Sequence, residues 1–171
     1  MGKKIAIIPA RGGSKGITNK NLIDVCGKPL IYYTIKRAFD SKEFDAVVVS
    51  SDSDLILKVS LEINKNIIPH KRPLKLASDS SKSIDVIIDV LDNYPDFDFV
   101  SMLEPTSPLR SENFIKSAHD NLINNPNAES LVGVSKVEDQ HPSFLCKKDR
   151  FELISPLPGS NKNIRRQDLN E

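Results

Sequence analysis

Residues 8–21 read IPARGGSKGITNKN. An apolar run ends at Pro9. A short loop then gathers Arg11, the adjacent glycines Gly12 and Gly13, Ser14, Lys15, Lys20 and Asn21. Backbone N–H groups in a loop that leaves a strand can cradle phosphate oxygens. Glycines remove the Cβ atoms that would block a close approach. Arginine offers a planar fork for two oxygens, and lysine offers a point charge. Together these residue types suit a grip on the phosphates of a nucleoside triphosphate. The loop lacks the G-x-x-x-x-G-K-[ST] spacing of Walker A and the G-x-G-x-x-G of dinucleotide sites. A solvated basic loop is the competing reading.

Other residue groups invite chemistry. Asp52-Ser53-Asp54 follows an apolar run and has the D-x-D form of a GT-A glycosyltransferase metal site. Asp and Ser are also preferred helix N-caps, and that plainer reading is favoured here. His70, His119 and His141 show no metal-ligand spacing, and His119 falls in a helical pattern that reads as surface. Cys26 and Cys146 cannot form a zinc cluster by themselves and read as two free thiols. Asp79 near Arg72 reads as an ion pair, and Lys147 with Lys148 as solvated charge.

The elements that must position these groups alternate. KIAIIP (4–9), AVVVSS (46–51), NIIP (66–69), FDFVSML (97–103) and SLVGVSKV (130–137) read as strands. Several are continuously apolar, as strands covered on both faces are. Three amphipathic stripes lie between them: Ile31, Ile35, Ala38 and Phe39; Ile84, Ile87, Ile88 and Leu91; and Ile115, Ala118 and Leu122. Pro29 suits a first helical turn, and Ser111 with Glu112 suits an N-cap. The alternation predicts an α/β, Rossmann-like fold, a mostly parallel sheet flanked by helices. Ligands in such sheets sit beyond the carboxyl ends of the strands. That singles out residues 10–21, 51–54, 70–83 and 104–110. After Val137 the pattern loosens, with β-like pieces SFLCKK and FELIS around a turn at Asp149 and Arg150.

Composition narrows the partners. The chain has 171 residues, enough for one core, with 24 basic and 23 acidic side chains and a net charge of +1. A nucleic-acid or membrane-surface binder would carry a basic excess, so any positive site is local. The first apolar run is too short for a signal peptide, and none reaches transmembrane length, so the chain reads as cytoplasmic. Gly2 meets only part of a myristoylation signal, because Ala6 stands where Ser or Thr is needed.

Three stretches in order, ARGGSKG…NKN, RPLKLASD and EPTSPLR, closely resemble the N-acylneuraminate cytidylyltransferases. That family includes the enzymes for legionaminic and pseudaminic acids. The resemblance runs from Lys4 to the end of the chain. It implies a fold of the nucleotide-diphospho-sugar transferase type. It also implies a reaction of CTP with a nine-carbon keto-sugar acid, giving CMP-sugar and pyrophosphate with Mg²⁺. Ala10, Arg11, Gly12, Gly13, Ser14, Lys15, Lys20 and Asn21 match the triphosphate loop, with Arg11 and Lys20 in the catalytic role. Arg72, Ala77, Ser81 and Ser83 match the segment that frames cytosine and ribose. Glu104 and Thr106 complete the nucleotide contacts, while Ser107, Arg110, Arg166 and Gln167 match the sugar side. Glu104 stands where the family usually has glutamine. A carboxylate accepts but does not donate, so it suits ribose hydroxyls or a metal.

The resemblance further implies a nucleotide-binding domain over residues 1–137 and the start of a sugar-binding and dimerisation region over 138–171. Family members continue past RRQDL into another strand and a carboxylate cluster that holds the metal. By that resemblance the metal ligands lie beyond Glu171, the last residue of the sequence, and no residue before it is assigned to the metal. The expectation is a chain that stops short of its metal ligands and of the arm of a homodimer, and that turns over poorly alone. The alternatives are the GT-A glycosyltransferase and an inactive nucleotide-binding fragment.

Overall fold

The computed structural model describes residues 2–13, 16–78, 80–111, 113–134, 146–150 and 153–156. Two compact units divide the chain, residues 1–119 and 120–171. The first contains a sheet of four parallel strands in the order β5-β4-β1-β6. Its strands are β1 (Lys4–Pro9), β4 (Ala46–Ser51), β5 (Ile68–Lys71) and β6 (Phe99–Met102). A small hairpin, β2 (Asp24–Val25) and β3 (Lys28–Pro29), precedes α1 (Leu30–Asp40). Then follow α2 (Asp54–Ile63), α3 (Ser83–Asn93) and α4 (Phe114–Ile123). Among the described residues no helix is long and apolar enough to cross a membrane.

Side chains alternate across a strand, so a continuously apolar strand serves two cores at once. Ala6 and Ile8 of β1 and Val47 and Val49 of β4 face one core. It is built with Ile31, Ile35 and Ala38 of α1, Ile56 of α2 and Ile115 of α4. Ile5, Ile7 and Val48 face the other core, built with Val90 of α3. The parallel, doubly covered sheet expected from the sequence is therefore present. Chain progression runs from β1 outward to β4 and β5, then returns to the far side of β1 as β6. The loops after β1 and β6 both leave the strands' carboxyl ends, where parallel sheets of this kind bind their ligands.

Four local expectations need correcting. In α3, Val86 and Val90 are buried and the expected Ile87 and Leu91 pack partly buried against the same core, while the expected Ile84 and Ile88 are about half exposed. The segment SIDVIIDVLDN is apolar on two overlapping stripes, and the sheet selects the one through 86 and 90. His119 is buried, with its ring edge against Phe44, Nε2 2.9 Å from Ser101 Oγ and Nδ1 3.2 Å from Glu43 Oε2. Both ring nitrogens find partners, which makes burial tolerable. Glu43 also accepts from Lys4 at 2.8 Å, and that bond, with His119, holds its carboxyl below the usual range against the effect of burial. Of the strand expected over 130–137, residues 130–134 carry no strand, and 135–137 lie outside the described residues. Strand β5 begins at Ile68 rather than at Asn66, and Asn66 instead donates to Asn64 Oδ1 in a turn.

In the second unit, β7 (Cys146–Lys148) and β8 (Ile154–Pro156) pair antiparallel around a turn at Asp149. Asp149 N–H donates to the Leu153 carbonyl and Asp149 Oδ1 accepts from Leu153 N–H, both at 3.0 Å. This matches the hairpin expected from SFLCKK and FELIS. Cys26 and Cys146 are free, exposed thiols.

The orientation of α3 is directly testable. Val90→Ala should cost about 1.5–3 kcal/mol in denaturant unfolding. Ile88→Ser should change stability by no more than about 0.5 kcal/mol. The reverse ranking would place Ile88 rather than Val90 against the sheet.

Candidate active site

The loop after β1 is fixed by β4. Ala10 is fully buried, and its N–H donates to the Ser50 carbonyl at 2.9 Å. Gly12 N–H donates to Asp52 Oδ1 at 2.9 Å. A Cβ on Gly12 would lie 3.0 Å from Ser53 Cβ, so only glycine lets the loop lie this close to the start of α2. A Cβ on Gly13 would meet nothing within 4 Å. The two glycines therefore serve different ends: Gly12 allows packing, and Gly13 leaves open space outside the loop. The returning end is fixed by buried Asn21, whose Nδ2 donates to the Arg11 carbonyl at 3.0 Å. Lys20 opens a 3-10 turn after Asn19, which adopts φ 51°. Asparagine is among the few residues that tolerate this left-handed conformation.

Arg72 reaches the same place from β5. It is 5% exposed. Its Nε–H donates to Ser50 Oγ at 3.2 Å and its Nη2 to the Ser50 carbonyl at 2.8 Å, while its backbone N–H donates to the Ser51 carbonyl. Burial holds the guanidinium below its usual pKa range, and nearby Arg11 pushes the same way. Asp52 and Asp89 oppose them. Arg11, Asp52 and Arg72 thus share one electrostatic neighbourhood around Ser50.

The segment after Arg72 is a self-bonded loop. Ala77 closes a 3-10 turn at Leu74–Leu76, with its N–H to the Leu74 carbonyl at 3.0 Å. Ser81 Oγ donates to the Lys75 carbonyl at 3.0 Å and lies 2.8 Å from Ser78 Oγ. Ser83 is exposed at the first turn of α3.

The loop after β6 is assembled on the other side of β1. Arg110 Nη1 donates to the Ser107 carbonyl at 3.0 Å and to Thr34 Oγ1 at 3.2 Å, and Nη2 donates to the Glu104 carbonyl at 2.9 Å. Thr34, on α1, is fully buried. The guanidinium therefore staples its own loop to α1, and burial lowers its pKa against the pull of Glu104. The side chains of Glu104, Thr106 and Ser107 are exposed, with Thr106 Oγ1 3.4 Å from Glu104 Oε2. Ser14, Lys15, Asp79, Glu112, His141, Arg166, Gln167 and Glu171 lie outside the described residues.

Asp52, Ser53 and Asp54 turn to three different partners. Ser53 caps α2, accepting from Ile56 N–H at 3.4 Å. Asp52 holds Gly12, and Asp54 pairs with Lys71 at 2.6 Å. Among the described residues no three His, Cys, Asp or Glu side chains gather to hold a metal. The expectation that the metal ligands follow Glu171 concerns residues past the end of this sequence, so the structure does not bear on it. Sequence reasoning missed Ser50, Thr34 and the anchoring role of Asp52. The one available signal for Ser50 was a serine pair closing an otherwise apolar strand.

The loops after β1, β5 and β6 thus gather at the carboxyl end of a parallel, doubly covered sheet, the α/β architecture expected from the sequence. The cytidylyltransferase family profile matches residues 5–149, and the chain belongs to that family. It is 37% identical to the N-acylneuraminate cytidylyltransferase of Streptococcus agalactiae over 98% of this chain and 40% of that protein. It is 40% identical to the pseudaminic acid cytidylyltransferase of Campylobacter jejuni over 72% of this chain and 54% of that protein. The chain thus spans about half, or less, of the length of these relatives. A CMP:2-keto-3-deoxy-manno-octonic acid synthetase complexed with CTP shares the fold, with a TM-score of 0.62 over 73% of this chain and 49% of that one, at 21% identity.

Two contrasts test the geometry. Gly12→Ala should destabilise by about 1–3 kcal/mol through overpacking, whereas Gly13→Ala should stay within about 0.5 kcal/mol. Arg110→Ala leaves the buried Thr34 hydroxyl without its donor and should cost about 1–3 kcal/mol. Arg110→Lys should not restore it, because an ammonium cannot reproduce the fork. Thermal denaturation of the four variants checks both, and equal effects at the two glycines would contradict the packing role of Gly12.

Proposed function

We propose that the protein containing this chain joins CTP to a nine-carbon keto-sugar acid, releasing pyrophosphate. The observation that carries this reading is the meeting of the glycine loop, through Ala10 N–H, and of the Arg72 guanidinium on Ser50 at the sheet's carboxyl edge. In the reaction a sugar hydroxyl oxygen would attack the α-phosphorus, the bond from that phosphorus to the bridging oxygen would break, and pyrophosphate would leave. The protein's part in such a transfer is positioning and charge neutralisation.

Arg11 and Lys20, with Ser14 and Lys15, would hold the β- and γ-phosphates and so stabilise the leaving group. Gly13 would let the backbone approach them. Arg72, with carbonyls of the segment through Ala77, would meet the donor and acceptor edge of cytosine. Ser81 and Ser83 would lie toward the ribose, with Glu104 and Thr106 nearby. Ser107 and Arg110 would bound the sugar side, Arg110 by fixing the shape of its loop. Mg²⁺ usually sits on one or two carboxylates and the substrate's phosphates. Among the described residues of the candidate site, the exposed Glu104 carboxylate on the loop after β6 could supply one such ligand, and the ion would there neutralise charge on the phosphates.

The reading is tested by pyrophosphate release with CTP, Mg²⁺ and a panel of nonulosonic acids. Release should require both substrates, and CTP should outcompete UTP, ATP and GTP. Preference for a purine nucleotide or for a UDP-sugar donor would favour a glycosyltransferase instead. Calorimetry adds a second check. Arg11→Ala and Lys20→Ala should each weaken CTP by roughly 1.5–3 kcal/mol and CMP much less. Equal losses for the two nucleotides would show that the loop does not read the outer phosphates.

A further inference from the structure

At the carboxyl ends of β4 and β5, polar side chains form a relay with a defined direction. Arg72 Nε–H donates to Ser50 Oγ at 3.2 Å. Ser50 Oγ lies 3.0 Å from His70 Nδ1, and His70 Nε2 lies 3.2 Å from Asp89 Oδ2 on α3. The Asp89 oxygen is close enough for ion pairing but is not aligned for a hydrogen bond. Ser50 is fully buried, and the His70 side chain is 10% exposed.

Arginine can only donate. Ser50 Oγ must therefore accept from Arg72, and its own proton is left to go to His70 Nδ1. His70 must then carry its single proton on Nε2, facing Asp89. A doubly protonated ring would turn Nδ1 into a second donor to Ser50. The serine proton would lose its acceptor in a place closed to water, which is costly. A second cation would also stand beside Arg72.

We propose that His70, as the neutral Nε2–H ring, is a positioning residue that holds the Arg72 guanidinium through the Ser50 hydroxyl. Its link to nucleotide affinity rests on the reading of Arg72 as a cytosine-facing group. Arg72, Asp89 and Ser50 are the groups that face the ring from the neighbouring elements. Burial lowers the ring's pKa, Asp89 pulls it partly back, and Arg72 lowers it again. The unfolded ring takes up a proton near pH 6.5, and the folded ring does so only at lower pH. The contribution to stability is therefore complete above pH 6.5 and falls as pH drops toward the folded-state value.

Two replacements separate the two ring nitrogens. His70→Asn places an amide oxygen near the position of Nδ1 and keeps an acceptor for Ser50. His70→Gln reaches toward Asp89 and leaves Ser50 without one. His70→Gln should weaken CTP binding roughly tenfold, and His70→Asn no more than roughly threefold. In the ligand-free protein, the Arg72 Nε–H nuclear magnetic resonance signal, assigned by its loss in Arg72→Lys, should move as His70 titrates below pH 6.5. In His70→Asn it should stay still over that range. Equal loss of CTP affinity in the two variants, or an Arg72 signal indifferent to His70 titration, would overturn the proposal. Wild-type protein that binds no CTP would refute the cytosine reading, and the ligand-free titration would still decide the positioning role.

Discussion

Ser50 carries no charge, yet the geometry of the site depends on it. Its carbonyl accepts from Ala10 N–H at 2.9 Å and from Arg72 Nη2 at 2.8 Å, which fills both lone pairs. Its hydroxyl meets Arg72 Nε and His70 Nδ1. One fully buried residue therefore ties the glycine loop after β1 to the basic segment after β5. Buried polar groups of this kind are costly unless all are satisfied, and a satisfied set fixes a single arrangement.

The sheet places Ser50 where it can do this. Parallel pairing puts Pro9 of β1 opposite Ser50, and Ser50 opposite His70 of β5. All three strands therefore end together, at one level. Covering helices on both faces leave the carboxyl edge as the place where polar groups can meet a ligand. The loop after β6 is built by a different device, the Arg110 fork on Thr34 and two carbonyls. The carboxyl edge thus has one loop fixed through β4 and another fixed through α1.

Much of this was legible in the sequence, for physical reasons that differ by element. Strands β1 and β4 were read with their observed ends, because two-sided burial demands unbroken apolar runs such as KIAIIP and AVVVSS. The loop after β1 was legible as a loop because adjacent glycines follow an apolar run that ends in proline. Helix α3 was placed correctly, but its buried face only in part: Ile87 and Leu91 pack on the core, while Val86 and Val90 take the centre in place of Ile84 and Ile88, since its apolar residues satisfy two stripes and only packing chooses. His119 looked like surface because nothing local reveals that Ser101 and Glu43 await its ring nitrogens. Ser50, Asp52 and Thr34 were missed for the same reason: their partners are 20 or more residues away in sequence, at Arg72, Gly12 and Arg110.

The central claim is that the glycine loop and the segment after β5 form one nucleotide site joined at Ser50. It is tested most directly by following backbone amide resonances during a CTP titration. The amides of Gly12, Gly13 and residues 72–78 should shift together and report a single Kd. CMP should move the 72–78 set while leaving Gly13 nearly still. Different Kd values at Gly13 and Arg72, or identical responses of Gly13 to CTP and CMP, would contradict a site that reads the outer phosphates and the base as one unit.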